Sequence, residues 1–322
     1  MSQTVLLTGA TGHLGPHVLE AALAEGWHLR VATPDAPPAH PQIEWVPTDL
    51  LGEVDYPRLV AGCSLVIHLA AQLAEQDKME RVNIFATGQL AAAAEAAGVG
   101  TFVYTSSVGV YGFPRERIIT EETPVLDTTS TRGFLAPQVL YDYCVTKLGG
   151  EGAIRGQAAR VRYVFARPAN IVNERQIADV LRWPLKTQIW RAHRCTHEVY
   201  VKDVAASLIF LANWAPAHVA PGGIEVFNTS NDNEPKNTYG HLHNRFRQAK
   251  GMSPILESLP LAQTFDILKD CLKYGCFDGR LPAGLSIYSP SKLMTAGFIH
   301  PHGILKVQDQ VIHRLVTEAN NS

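Results

Sequence analysis

The chain has 322 residues, of which 46% are apolar and 18% charged, and its formal net charge is −2. That length buries a sizeable core in one large domain or two smaller ones, and the balance of residues is that of a globular protein. The near-neutral charge gives no reason to expect nucleic acid or an anionic membrane as partner.

Five scattered cysteines, an odd number, fit a reducing compartment rather than a disulfide framework. The opening "MSQTVLLTGATGHLG" lacks the basic n-region of a signal peptide. No apolar run approaches the roughly 18 residues of a membrane span, so a cytoplasmic location is expected.

In chain order, "QTVLLT" at 3–8 is a short β-branched run, followed at once by the glycines of "GATGHLG". Val18, Leu19, Ala22 and Leu23 then recur at helical spacing until Gly26 stops the helix. "HLRVAT" at 28–33, "IEWVP" at 43–47 and "SLVIHLA" at 64–70 read as further strands, and the prolines of 33–42 mark a loop. The alanine-rich stretch from Asn83 predicts a helix ending at Gly98. "TFVYTSS" at 101–107 and "VRYVFARP" at 161–168 complete a set of six strands. Strands alternating with helices imply parallel βαβ units, a doubly wound Rossmann-type α/β sheet, and a ligand at the carboxyl ends of the strands. After about residue 170 the rhythm changes. Strands are expected at 197–201 and 224–230 with a helix at 203–213, whereas 231–290 reads as irregular. Residues 1–170 are therefore expected to form a dinucleotide-binding domain. Residues 171–322 form mainly a substrate-binding region, with some segments returning to the core.

The turn "TGATGHLG" places Gly9, Gly12 and Gly15 between a strand and a helix. Gly9 permits the tight turn, Gly12 lets backbone approach a pyrophosphate, and Gly15 allows close helix–strand packing. The helix N-terminus beyond it suits phosphate. The spacing is GxxGxxG rather than GxGxxG. At the end of the second strand Asp35 follows Thr33, while Arg30 lies within the strand. The acid favours NAD, with NADP the alternative.

Further on, "YDYCVTKLGGE" carries two tyrosines and a lysine. Residues four apart on a helix are neighbours, so Tyr143 meets Lys147 and Tyr141 faces elsewhere.

With these motifs in view, the sequence resembles the extended short-chain dehydrogenase/reductase superfamily, also called NAD-dependent epimerase/dehydratase, over nearly its whole length. The similarity is carried by "TGATGHLG", "PTDL", "VIHLAAQ", the helix from Asn83 with the following "SSVGVYG", "YCVTK", "RPAN" and "SPSKLMTAGFIHP". It implies a cofactor shell of Gly9, Thr11, Gly12, His13, Leu14 and Gly15 in the turn, Thr33 and Asp35 after the second strand, and Asp49 and Leu50 at the adenine. Leu69, Ala70, Ala71, Thr105 and Pro168 would line it further, with Tyr143 and Lys147. It also implies catalysis by Ser107, Tyr143 and Lys147, substrate contacts from Ser107 and Asn170, and a homodimer through the helices at 83–97 and 140–158.

A phenol has a reference pKa of about 10. Lys147 and a cofactor's positive charge are expected to favour the phenolate, drawing the group into acid–base range. Of the two serines, strand alternation turns one toward the cofactor and one away, and the family pattern assigns the active hydroxyl to Ser107.

The expected activity is hydride transfer at a ring carbinol, with a nucleotide-sugar epimerase placed slightly ahead on family abundance; Asn170, which matches a family asparagine near the substrate pyrophosphate, speaks for it. The alternative is a 3β-hydroxysteroid-type or dihydroflavonol-type oxidoreductase of a non-nucleotide substrate. Nucleotide-sugar relatives often carry an arginine where this chain has Thr196, leaving Arg194 or Arg191 as substitutes. A dehydratase is disfavoured because Val108 and Gly109, not an acidic pair, follow Ser107. A non-catalytic dinucleotide sensor is the remaining reading, and it would not need the retained tyrosine and lysine.

"HRCTH" at 193–197, "HLH" at 241–243, and Cys271 with Cys276 invite a metal reading, but no convergence is legible and none is expected. Cys144 should point about 100° from Tyr143 and pack. The tryptophans and basic residues of 180–194 suggest a substrate lid or subunit contact rather than nucleic acid.

Overall fold

The structure is a computed structural model describing residues 3–34, 39–112, 116–126, 138–234, 236–274 and 283–320. Asp35 and Cys276, named above, lie outside these residues. Contacts divide the chain into two compact units. The first contains 1–110, 137–168 and 204–227; the second contains 111–136, 169–203 and 228–322. Residues 111–136, ahead of the expected boundary at 170, thus group with the second unit, and 204–227 return to the first.

The first unit is built on strands β1 (Thr4–Thr8), β2 (His28–Thr33), β3 (Ile43–Pro47), β4 (Leu65–His68) and β5 (Thr101–Thr105), followed by Arg162–Pro168 and Ile224–Thr229. Across the seven-stranded sheet the order is Ile224–Thr229, Arg162–Pro168, β5, β4, β1, β2, β3. The pairings of β1 with β2 and β4, β2 with β3, β4 with β5, and β5 with Arg162–Pro168 are all parallel. The order reverses direction at β1, which makes its carboxyl end the switch point of a doubly wound sheet. Strands β4 and β5 are buried at every position, as expected where helices cover both faces. One core layer joins Leu6, Val66, Phe102 and Phe165 to Leu59, Leu90, Ala91 and Ala94. The small alanine side chains let the helix Thr87–Ala97 lie close to the sheet, and Gly98, at φ 70, ends it in the left-handed conformation.

The helix expected from Asn83 opens differently. Glu80–Ala86 forms a wide π-helical turn, and regular α-helix begins at Thr87. Asn83 is fully buried there. Its amide donates to the carbonyl of Gln72 and to Thr146 Oγ1, both at 3.0 Å, and accepts from Gln72 N–H at 2.8 Å. These bonds tie the segment after β4 to the helix Gln138–Arg155 and account for the widened turn, since π-bulges accompany such specific placements.

In the second unit, Asn170–Val172 pairs in parallel with Glu198–Tyr200, and Ile118–Ile119 with Ile287–Tyr288. Contrary to the irregular reading of 231–290, two helices lie within it, Tyr239–Ala249 and Pro260–Tyr274. Thr238 caps the first by accepting from His241 N–H, and Pro260 opens the second where its missing N–H costs nothing. Most of the glycines, prolines and asparagines that suggested irregularity flank the two helices, although Gly240 and Asn244 lie within the first, and the helical apolar spacing was too sparse to register. Within this unit Trp183 packs on Tyr239 at 4.9 Å and Trp190 on Phe265 at 5.7 Å, so the aromatic–basic stretch is engaged in packing. No helix among the described residues is long and apolar enough to cross a membrane.

Candidate active site and cofactor cradle

The glycine turn sits at the carboxyl end of β1, and each glycine answers a different steric demand. Gly9 has φ 76, and a Cβ there would lie 2.6 Å from Ala70 N and 2.8 Å from Ala70 Cα. The turn therefore rests directly on the backbone of Leu69 and Ala70, where only glycine fits. At Gly15 a Cβ would stand 2.3 Å from the carbonyl carbon and oxygen of Ala10. At Gly12 the nearest atom to such a Cβ is Gly9 O, at 3.4 Å. Internal packing thus requires the first and third glycines but leaves the second open, the pattern of a cradle into which a pyrophosphate could approach backbone. Thr11, Gly12 and His13 are exposed on this turn, and Leu14 is buried beneath it.

Of the other expected cofactor residues, Thr33, Thr105 and Pro168 are buried at carboxyl ends of strands. Leu69 and Ala70 are half-buried, and Ala71 is exposed. Asp49 is exposed and accepts from Leu51 N–H at 2.9 Å, which fixes the turn that seats Leu50 against the core. Arg30 is committed elsewhere, to Glu44 at 2.8 Å and to the carbonyl of Ala61 at 2.7 Å. As a first expected result, Gly12→Ala should leave the melting temperature nearly unchanged while weakening NAD at least tenfold, about 1.4 kcal/mol. Thermal melts alongside an NAD titration check this, and unchanged affinity would remove Gly12 from the cradle.

Tyr143 and Lys147 lie on the helix Gln138–Arg155, beside β5. Lys147 is almost fully buried. Its Nζ donates to the carbonyl of Thr105 at 2.5 Å and stands 4.3 Å from the Tyr104 ring centre. Burial pushes its pKa down to about 7, outweighing the opposing pull of Glu151. Tyr143 departs from expectation. Among the protein's own groups burial dominates, with a smaller contribution from Cys144, and together they push the phenol up to about 12 rather than down toward neutrality. A Coulombic gain from Lys147 was the expected cause of a lowered value, but burial and Cys144, both raising it, govern the shift.

Ser106 and Ser107 have separate duties. Ser106 is buried and donates to Glu151 Oε1 at 2.7 Å. Ser107 is half-buried, and its Oγ accepts from Gly109 N–H at 3.0 Å. A side chain on Gly109 would meet Cys144 Sγ at 2.8 Å and Ser107 Oγ at 3.3 Å, so this glycine lets the Ser107 loop pack against the helix Gln138–Arg155 at Cys144. Cys144 packs there, its thiol pushed up to about 11 by burial.

Sequence reasoning missed what lies behind these residues. Arg167 grips Glu151 through two bonds, of 2.9 and 2.6 Å, and both side chains are buried. Next to them His68 stacks on Tyr104 at 5.7 Å, bridging Thr8 Oγ1 at 2.6 Å and Thr87 Oγ1 at 2.9 Å. Burial, helped by Lys147, pushes His68 down to about 3, so it is a neutral strut. Asn170 belongs to the second unit. It is exposed, and its N–H donates to the carbonyl of His197 at 2.9 Å.

The parallel sheet, the glycine turn at its switch point and the adjoining Tyr-x-x-x-Lys helix define a Rossmann-type dinucleotide-binding protein. The model of the NAD dependent epimerase/dehydratase family matches residues 5–224, and the chain belongs to that family.

Among curated relatives, a 3-beta-hydroxysteroid dehydrogenase of Mycolicibacterium neoaurum is 25% identical over 249 residues, covering 73% of this chain and 67% of the relative. A ceramide reductase of Caulobacter vibrioides is 35% identical over 218 residues, covering 64% of this chain and 59% of its own. An uncharacterized protein, y4nG, of Sinorhizobium fredii is 31% identical, covering 46% of this chain and 36% of its own. The chain thus spans from about a third to two thirds of the length of these relatives. Among solved structures, MoeE5 in complex with UDP-glucose and NAD superposes with a TM-score of 0.67 at 20% identity, covering 99% of this chain and 100% of that one. A short-chain dehydrogenase/reductase superfamily protein from Agrobacterium tumefaciens with bound NAD gives 0.68 at 19%, covering 99% and 100%. At such identities the likeness concerns the fold.

Proposed function

We propose that this chain is an NAD-dependent oxidoreductase of an apolar, non-nucleotide secondary alcohol or its ketone. The observation that carries the choice is Thr196. Standing where nucleotide-sugar relatives often have a phosphate-binding arginine, it is buried and bonded to Asn237 Oδ1. The nearby substitutes are engaged otherwise. Arg194 Nε pairs with Asp266 at 3.2 Å, and Arg191 stacks over Trp183 at 5.1 Å. A buried hydroxyl cannot replace a bidentate guanidinium for a pyrophosphate. The curated relatives named for hydroxysteroid and ceramide substrates support the same reading. A nucleotide-sugar epimerase is the second reading, favoured by the exposed Asn170.

In this proposal the first unit holds the dinucleotide, on Gly9, Gly12, Gly15 and the backbone of Leu69–Ala71, and the second unit supplies substrate contacts. NAD, when bound, supplies the acceptor and donor of hydride. Tyr143 gives a proton to the substrate oxygen during ketone reduction and receives it during alcohol oxidation. Ser107 holds that oxygen by a hydrogen bond. Lys147, anchored on Thr105 O, sets the local charge and would hydrogen-bond the nicotinamide ribose when NAD is bound. A homodimer belongs to the same proposal. Phe85, Val139 and Leu140 expose apolar surface on the two helical segments expected to form it.

The test is to denature the purified protein, identify released nucleotide by mass spectrometry, and then assay ring alcohols, ketones and nucleotide-sugars. Exchangeable NAD with turnover of apolar alcohols or ketones is the expected result. Stoichiometric retained NAD with epimerisation of a nucleotide-sugar would overturn the substrate reading.

A further inference from the structure

Away from the groups assigned to hydride transfer, the second unit draws three unlike side chains together. Cys195 Sγ, an imidazole nitrogen of His197 and a carboxylate oxygen of Asp232 all lie within 4.8 Å of one another. His197 Nδ1 is 2.6 Å from Asp232 Oδ2, and Cys195 Sγ is 3.6 Å from Asp232 Oδ1. Cys195 and His197 are one residue apart, just ahead of the strand Glu198–Tyr200, and Asp232 follows the strand Ile224–Thr229.

Two features mark the cluster as built rather than incidental. The Asp232 side chain is wholly buried, and Tyr288 N–H donates to its Oδ2 at 3.0 Å. This is the kind of outer bond that orients a ligating carboxylate. In addition, His197 has φ 53, the single non-glycine residue with positive φ among those described. A histidine in that region is strained, and such strain persists where the surroundings hold the side chain for a purpose.

We propose that Cys195, His197 and Asp232 form a binding site for a zinc-class divalent metal, with the fourth position open to water or another ligand. Tetrahedral bonds of about 2.0–2.3 Å separate ligand atoms by roughly 3.3–3.7 Å. The sulfur–carboxylate spacing of 3.6 Å already meets this, and the imidazole–carboxylate spacing of 2.6 Å must open by less than about 1 Å. The thiolate selects zinc over magnesium or calcium, which prefer all-oxygen shells.

The metal would pin the loop carrying Asp232 to the strand Glu198–Tyr200, and so stabilise the fold by mass action.

The full chain, stripped with chelator, dialysed against zinc and desalted, should retain one equivalent and melt several degrees higher. Cobalt should give a thiolate-to-metal charge-transfer band in the near ultraviolet. Cys195→Ser should abolish that band. His197→Gly, which suits the left-handed backbone and so protects folding, should weaken zinc by about 100-fold. Circular dichroism establishes that both variants are folded. No zinc retained at micromolar concentration, or retention and cobalt band unchanged in the two variants, would overturn the assignment.

Discussion

Tyr143→Phe should lower turnover by about 10²–10⁴-fold or more, while NAD affinity changes by less than about threefold. Only the phenolic oxygen is removed, and neither the glycine turn nor the Lys147 bond to Thr105 depends on it. The pH dependence follows from the direction of the shift. With burial pushing Tyr143 up to about 12, the phenol is protonated throughout the neutral range. It is therefore ready to donate to a ketone but must be deprotonated to accept from an alcohol. Alcohol oxidation by the unaltered enzyme should climb with pH, while ketone reduction should lose nothing to ionisation of the phenol over the same range and fall only as the Lys147 cation is lost. Positive charge on an oxidised nicotinamide would shift the climb to lower pH. Steady-state rates in both directions from pH 6 to 10, for the unaltered chain and the variant, provide the check. Full turnover by folded Tyr143→Phe would remove Tyr143 from the chemistry.

Much of the fold could be read from the sequence because its signals are local. A β-branched run, three glycines and an apolar helix at 3–24 specify a strand–turn–helix whatever follows, and the same holds for the strands through Thr105 and the alanine-rich helix, although the short helix Tyr56–Val60 went unread. The roles of the glycines were also readable in kind, since turn, approach and packing each demand a missing Cβ. What escaped was set by burial and by contacts distant in sequence. The direction of the Tyr143 shift depends on how dry the helix–strand junction is, which no spacing reports. The helices Tyr239–Ala249 and Pro260–Tyr274 were hidden by flanking turn residues. Cys195 and His197 were visible as a pair, but Asp232 reaches them from 35 residues further on in its bond to His197. Glu151 read as one more polar residue of "KLGGE", because its partner Arg167 comes from the next strand.

That last pair sets the largest expected effect on stability. Glu151 is 1% exposed and Arg167 3% exposed, so the guanidinium was taken from water on the condition that a carboxylate meets it. Glu151→Gln keeps the shape but removes the charge, and should destabilise the first unit by about 3–5 kcal/mol. For chains of this size that corresponds to a fall in melting temperature on the order of 10 °C. The loss should be mutual rather than additive. In Glu151→Gln/Arg167→Leu no charge is stranded, so the double variant should regain much of what either single change loses.

The consequence for function runs through two bonds. Ser106 hydroxyl donates to Glu151 and thereby fixes the residue preceding Ser107. Glu151 also opposes the burial-driven fall in the Lys147 pKa. Glu151→Gln should therefore push Lys147 further down. Its cation would then be lost at lower pH, and the alkaline limb of any profile that depends on the Lys147 cation should move to lower pH. Arg167→Leu with Glu151 intact would not produce that movement. Thermal melts of the three variants, paired with pH–rate profiles, separate the two effects. A Glu151→Gln protein as stable as the unaltered chain would show that the ion pair does not hold the first unit together.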